Sequence, residues 1–238
     1  MTDLPGLSIR MRSTHCRRPS SRYPQHWWEP VPKDQAASWE ILPQEARPGE
    51  VILSKRNELG MLSNFAETPF IFHGKRYRSI EGFWQMMKYP DDPSDPRANF
   101  PGISWKFTRE EVAQIVGFQA KRAGDLASED MKKMGIDWVT FEGRRMKYRT
   151  QEKGEHYDLI VAVTRAKIRQ NPQARRVLLS TGDLILRPDH HQSSDAPPAW
   201  RYHEILMMIR TDESSDSTGS RGSSGTPSRP NAPSPWSE

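Results

Sequence analysis

One cysteine, Cys16, is all the chain of 238 residues contains. That scarcity excludes an intramolecular disulfide, and it excludes zinc or iron–sulfur sites built from several thiolates. It fits a reducing compartment, so a cytoplasmic location is expected. Long apolar runs are also missing. Nothing approaches the about 18 apolar residues of a membrane-spanning helix, so no membrane partner is expected. Arg10 and Arg12 are not followed by the apolar stretch of a secretory signal, so none is expected there. No internal repeat, helix-turn-helix signature or zinc-finger spacing is present, and aromatics are not regularly interleaved with the basic residues. A general nucleic-acid-binding protein is therefore the weakest of three functional readings.

The formal net charge is +5, and the excess is local. Residues 141–176 carry ten Lys/Arg against four Asp/Glu. This is either a solvated face or a surface that attracts phosphates. Residues 1–45 are polar and rich in Pro and Arg, and read as a mostly disordered extension in which Trp27 and Trp28 could dock on the core. Residues 211–238 are low-complexity Ser/Gly/Pro and read as a disordered tail. One domain, 46–210, is expected between them.

Within that domain Val51-Ile52-Leu53 reads as a strand. Phe70-Ile71-Phe72, the turn signal His73-Gly74 and Lys75–Arg78 read as a hairpin. Ser79 is a helix cap. A Pro/Asp-rich loop follows at 89–104. A helix is expected over 108–122, with Thr108 as cap and Glu111 closing a capping box. Further helices are expected over 128–134, 155–170, 173–180 and 199–210, with a short strand at Leu184-Ile185-Leu186. The fold class is α+β, mainly helical, with a small β-sheet or hairpin.

The chemistry concentrates in residues 61–88. Glu81, Trp84, Gln85 and Lys88 sit at i, i+3, i+4 and i+7, which puts a carboxylate, an indole, an amide and an amine on one helical face. Phe83, Met86 and Met87 fall on the other face, where a core would lie. A wall holding an acid, an aromatic plate and a cation suits a nucleotide-like ligand. The bland alternative for Glu81 is a first-turn acid complementing the helix dipole.

The run Leu62-Ser63-Asn64-Phe65, then Phe70, Gly74, Tyr77 and Ser79-Ile80-Glu81-Gly82-Phe83-Trp84-Gln85-Met86-Met87-Lys88, resembles the signature of the NADAR (YbiA-like) family. Gln119–Gly124, Arg165–Pro172 and Leu178–Asp183 are similar to its later motifs, in the right order over about residues 51–210. The resemblance implies a single NADAR-like domain with N-glycosidase activity, metal-independent and without a cofactor. Its substrate would be a small phosphorylated riboside of the riboflavin pathway, or ADP-ribose attached to guanine in nucleic acid. The second would be a DNA-repair activity. The alternative is a module that binds ADP-ribose or a nucleotide without turning it over.

On that resemblance the catalytic candidates are Glu81, Lys88 and Asp189. Cleavage builds positive charge on the ribose, which a carboxylate at Glu81 can stabilise, and the same group can activate water. Lys88 suits a phosphate or a leaving group gaining negative charge. The second acid is open among Asp183, Asp189 and Asp195; Asp183 reads as a turn residue, and Asp189 is taken. The substrate-binding candidates are Asn64, Phe65, Gln85, Trp84, Lys121 and Trp138, with Trp138 as a stacking platform for the base. Adjacent His190 and His191 have no third partner at metal-like spacing, so no metal is expected.

The chain departs from the family in two places. Gly82 stands where many relatives carry histidine, and PDHHQSSDAPPAW replaces the usual Trp-Gly segment. It therefore looks like a divergent E-G-F-W-Q branch. The discriminating feature between enzyme and binding module is whether an acid from 183–195 faces Glu81.

Overall fold

Helix α1 (Ile80–Met86) starts where the sequence says it should, because the Ser79 hydroxyl accepts the Gly82 N–H at 2.9 Å. The computed structural model describes residues 22–219 and Trp236. Before α1 come β1 (Glu50–Ile52) and the antiparallel hairpin of β2 (Phe70–Phe72) and β3 (Lys75–Tyr77), with Phe70 opposite Tyr77. His73 and Gly74 both have positive φ, 47° and 72°, which is the geometry of a two-residue hairpin turn. After α1 follow α2 (Arg109–Ala113), α3 (Gly117–Lys133), the hairpin of β4 (Trp138–Phe141) and β5 (Arg144–Lys147), and α4 (Glu155–Gln170). The chain continues through α5 (Pro172–Ser180), β6 (Ile185–Arg187) and α6 (Tyr202–Gly219). Strand β6 pairs in parallel with β1, closing the two ends of the domain on each other. The fold is α+β, mainly helical, with three two-stranded sheets among the described residues.

Phe83, Met86 and Met87 face the core as the period required. Phe83 meets Phe70, Phe72, Tyr77 and Phe141, so α1 and both hairpins share one aromatic cluster. Fully burying each such ring contributes roughly 1.5–3 kcal/mol. Two buried arginines close the C-terminal end of α1. Arg97 donates to the carbonyls of Met87 and Lys88, and Arg109 to those of Met86 and Tyr89. These cations satisfy the orphan carbonyls at the negative end of the helix. They are neutralised by Asp95 and Asp91, which belong to the Pro/Asp-rich loop. That loop is therefore an anchor for α1.

Several boundaries differ from expectation. The helix expected over 108–122 is broken at Gly117, whose φ of 58° interrupts the right-handed path. The part after the break runs on to Lys133 and absorbs the helix expected at 128–134. The β4–β5 hairpin was not foreseen, because its turn, Glu142-Gly143, puts a glutamate at positive φ where Asn or Asp is the usual signal.

The last helix does not stop at Arg210. It reaches Gly219, and its extra turns are tied down by ion pairs from Asp212 to Arg165 and from Glu213 to Arg169 and Arg175. Ordered structure also begins before residue 46. Trp27 is 1% exposed and donates to Glu58, and the Trp28 indole donates to the carbonyl of Glu50. From the tail, Trp236 is buried against Phe141, with its Nε1 donating to the Glu155 carbonyl. Residues 1–21, Cys16 included, and the remaining tail positions lie outside the described residues. No helix among the described residues is long and apolar enough to cross a membrane.

Candidate functional site

The site grows from the face of α1 opposite Phe83. Lys167, in the last turn of α4 and 1% exposed, donates to the Ser63 carbonyl at 2.8 Å. Burial pushes its ammonium down to about 7. One residue on, the Asn64 carbonyl accepts the backbone N–H of Glu81 at 2.9 Å. Loop 63–65 is thus held by a core lysine on one side and by an orphan donor of α1 on the other. This places Asn64 and Phe65 beside the acid.

Glu81 is 8% exposed, and its carboxylate accepts from Gln85 Nε2 at 2.8 Å. Burial pushes the carboxyl above the ordinary glutamate range, only partly offset by the Gln85 hydrogen bond and the charge of Lys88. Lys88, two turns along, is also buried. Its ammonium donates to Ser128 Oγ at 2.8 Å and to the Gly124 carbonyl at 3.2 Å, and it lies over the rings of Trp84 and Tyr148. Burial brings it down to about 8.

Two glycines make this arrangement possible. A Cβ on Gly82 would stand 2.6 Å from the Ile115 carbonyl oxygen, so this position admits no side chain. A Cβ on Gly124 would overlap Gln85 Oε1.

These groups line a cleft of about 700 Å³. Of the residues singled out in the sequence, Glu81, Lys88, Asn64, Phe65, Gln85, Trp84 and Lys121 all line it. Two do not. Trp138 lies outside, on β4, with its ring flanked by the guanidinium groups of Arg97 and Arg145 at 4.7 and 4.4 Å. The unforeseen hairpin is the reason: it carries Tyr148, just past β5, into the cleft instead of Trp138. Asp189 is 1% exposed and sits behind the wall. It pairs with Lys55, and its Oδ1 is 3.1 Å from His190 Nδ1. Burial alone would raise its carboxyl, but the hydrogen bonds from His190 and Lys55 outweigh that and hold it below the usual range. Asp183 stands in the turn by Tyr23, away from the cleft, and Asp195 does not line it either.

No family model matches the chain, and no curated protein matches it. Among solved structures, the NMR structure of the E. coli protein YbiA overlaps 69% of this chain and 84% of its own at 18% identity, with a TM-score of 0.41. An overlap that loose carries no inference about chemistry.

The cleft also holds residues the sequence did not announce. Asp125, one turn from Lys121 and ion-paired with it, looks in sequence like an ordinary i, i+4 surface pair, yet it lines the cleft as a second carboxylate. Lys55 lies over Trp39 and Phe65, and Phe118 meets both rings, so an aromatic corner forms from three distant segments. No local pattern connects those segments. Arg149, Lys121 and Lys55 give the cleft three cations besides Lys88.

Proposed function

We propose that this cleft hydrolyses an N-glycosidic bond between a base-like nitrogen and ribose. The observation that carries the reading is Glu81, a carboxylate with an amide for its hydrogen-bond partner, buried in the wall of a cleft beside a lysine of lowered pKa. As the bond to nitrogen breaks, the ribose gains oxocarbenium character, and an ionised Glu81 in a low-dielectric wall stabilises that charge strongly. The Lys88 ammonium is a ready proton donor for the departing nitrogen. Asn64 and Gln85 suit ribose hydroxyls, and Lys55, Lys121 and Arg149 suit phosphates. The motif resemblance set out from the sequence supplies the substrate classes: ADP-ribosyl-guanine in nucleic acid, or a phosphorylated riboflavin-pathway intermediate. We assign the reaction to the cytoplasm, with no cofactor.

The test is release of free ADP-ribose from guanine-ADP-ribosylated DNA, run beside the phosphorylated intermediate, with wild type and Glu81→Gln. Release from the DNA alone, lost in the variant, identifies a repair glycohydrolase. Release from the small intermediate alone assigns the protein to metabolism. Release by the variant at the wild-type rate removes Glu81 from the mechanism.

One observation favours a second reading, an ADP-ribose- or nucleotide-binding module. None of Asp183, Asp189 and Asp195 lines the cleft, so the expected second acid is not opposite Glu81. Tight ADP-ribose binding with no release from either substrate supports that reading.

A further inference from the structure

By its place in the sequence Asp189 is a candidate for an acid that acts on the substrate itself. Its surroundings describe a different role. Both carboxylate oxygens are engaged, Oδ2 by Lys55 and Oδ1 by His190 Nδ1 at 3.1 Å. The backbone around it is fixed: the Asp189 carbonyl accepts from Ile41 N at 2.8 Å, and His190 bridges Glu40. The His190 ring is stacked on Tyr202, with 7° between planes and 6.3 Å between centroids. A ring so held turns Nδ1 to the buried acid and its opposite edge, Nε2, away from it. His190 lines the cleft that holds Glu81, and among the described residues its Nε2 has no hydrogen-bond partner. An aspartate on Nδ1 selects the tautomer with the proton there and leaves Nε2 as a base.

We propose that His190 is a further catalytic residue, the acceptor of the proton from the attacking water, and that Asp189 is its positioning residue. The proposal rests on the glycosidase reading. In the step, the C–N bond breaks with its electron pair going to nitrogen, which takes a proton from the Lys88 ammonium. The water oxygen forms the new C–O bond and gives its proton to His190 Nε2. Glu81 remains ionised beside the ribose throughout. Proton return from His190 and uptake by Lys88 through solvent reset the site. The charged and titratable groups near His190 include Asp189, His191, Lys55, Glu40, Tyr202 and His203.

Two measurements on the full chain test this. In long-range 1H–15N spectra, with His190 assigned by its absence in His190→Gln, the wild type shows the Nδ1–H tautomer and Asp189→Asn shifts it toward Nε2–H. An Nε2–H tautomer in the wild type overturns the proposal. In the release assay, His190→Gln lowers kcat about 10²–10⁴-fold with KM unchanged. Asp189→Asn lies between this variant and wild type, and added imidazole restores part of the rate of His190→Ala. Full activity in His190→Gln, with Glu81→Gln inactive, overturns the His190 role and leaves the glycosidase reading standing. Loss in His190→Gln with Glu81→Gln active does the reverse for the two residues. Release from neither substrate by wild type overturns both.

Discussion

Glu81 and Asp189 are both buried carboxylates within one cleft wall or just behind it, and they titrate in opposite directions. Burial penalises the charged form of each. Glu81 has an amide for its hydrogen-bond partner, so desolvation prevails and its carboxyl is pushed up. Asp189 has Lys55 and His190, so its hydrogen bonds prevail and it is held down. Burial alone therefore does not set the direction of the shift; the charge of the hydrogen-bond partners does. The acid left without a cationic hydrogen-bond partner faces the cleft, and the well-paired one holds a neighbour in place.

The most severe way to break this comparison is Glu81→Gln. Turnover should fall below detection. The fold should gain stability, on the order of 1 kcal/mol, because a buried charge disappears while Gln85 keeps an acceptor. A melting temperature that drops would show that Glu81 is stabilising and that the contrast is misdrawn.

Gly82→Ala should cost about 2–3 kcal/mol, since the new methyl meets backbone carbonyls that cannot rotate away. Chemical denaturation measures it. A neutral result would mean that α1 and α2 separate easily, and that Glu81 is not rigidly placed.

Asp189→Asn should have the opposite sign to Glu81→Gln, a loss of about 1–2 kcal/mol at neutral pH. The pH dependence sharpens this. A carboxyl raised on folding favours the folded state most at low pH, and that contribution is lost as pH rises through the folded pKa. A carboxyl lowered on folding contributes above its ordinary range, and that contribution is lost as pH falls through its folded pKa. The stability difference between wild type and Glu81→Gln should therefore shrink on acidification from pH 7, and so should that between wild type and Asp189→Asn, from opposite sides of zero. Curves that move with the same sign would refute the assignment of partners.

Deleting residues 220–238 should matter least. It removes the buried Trp236, whose burial gain is offset by the entropy of fixing that residue, so about 1 kcal/mol is expected. Turnover should be unchanged, as the tail ring docks on Phe141 and Arg144, and neither lines the cleft. A larger kinetic effect would connect the tail to the site.

The α1 side of the cleft was legible because it is local. A cap at Ser79 and a 3.6-residue period carry Glu81, Trp84, Gln85 and Lys88 onto one face, whatever the rest of the chain does. The core side of that helix was legible for the same reason. The boundaries near Gly117 and Arg210 were not, since a single positive φ broke one helix and ion pairs from α4 and α5 prolonged the other. Trp138 was misplaced because the Glu142-Gly143 turn gives no standard hairpin signal. Asp125 gives no signal in the sequence, because an i, i+4 pair with Lys121 explains it fully at the surface.

By itself, then, the sequence determined the acid-bearing helix, the hairpin before it and the mainly helical class, because short-range sterics and periodicity settle these within a few turns. Only the tertiary structure decided which charges meet. Lys167 under Ser63, Lys55 beside Asp189, and Gly82 against the Ile115 carbonyl all join segments distant in the chain. Their energies depend on desolvation and contact, which have no value until the chain has closed on itself.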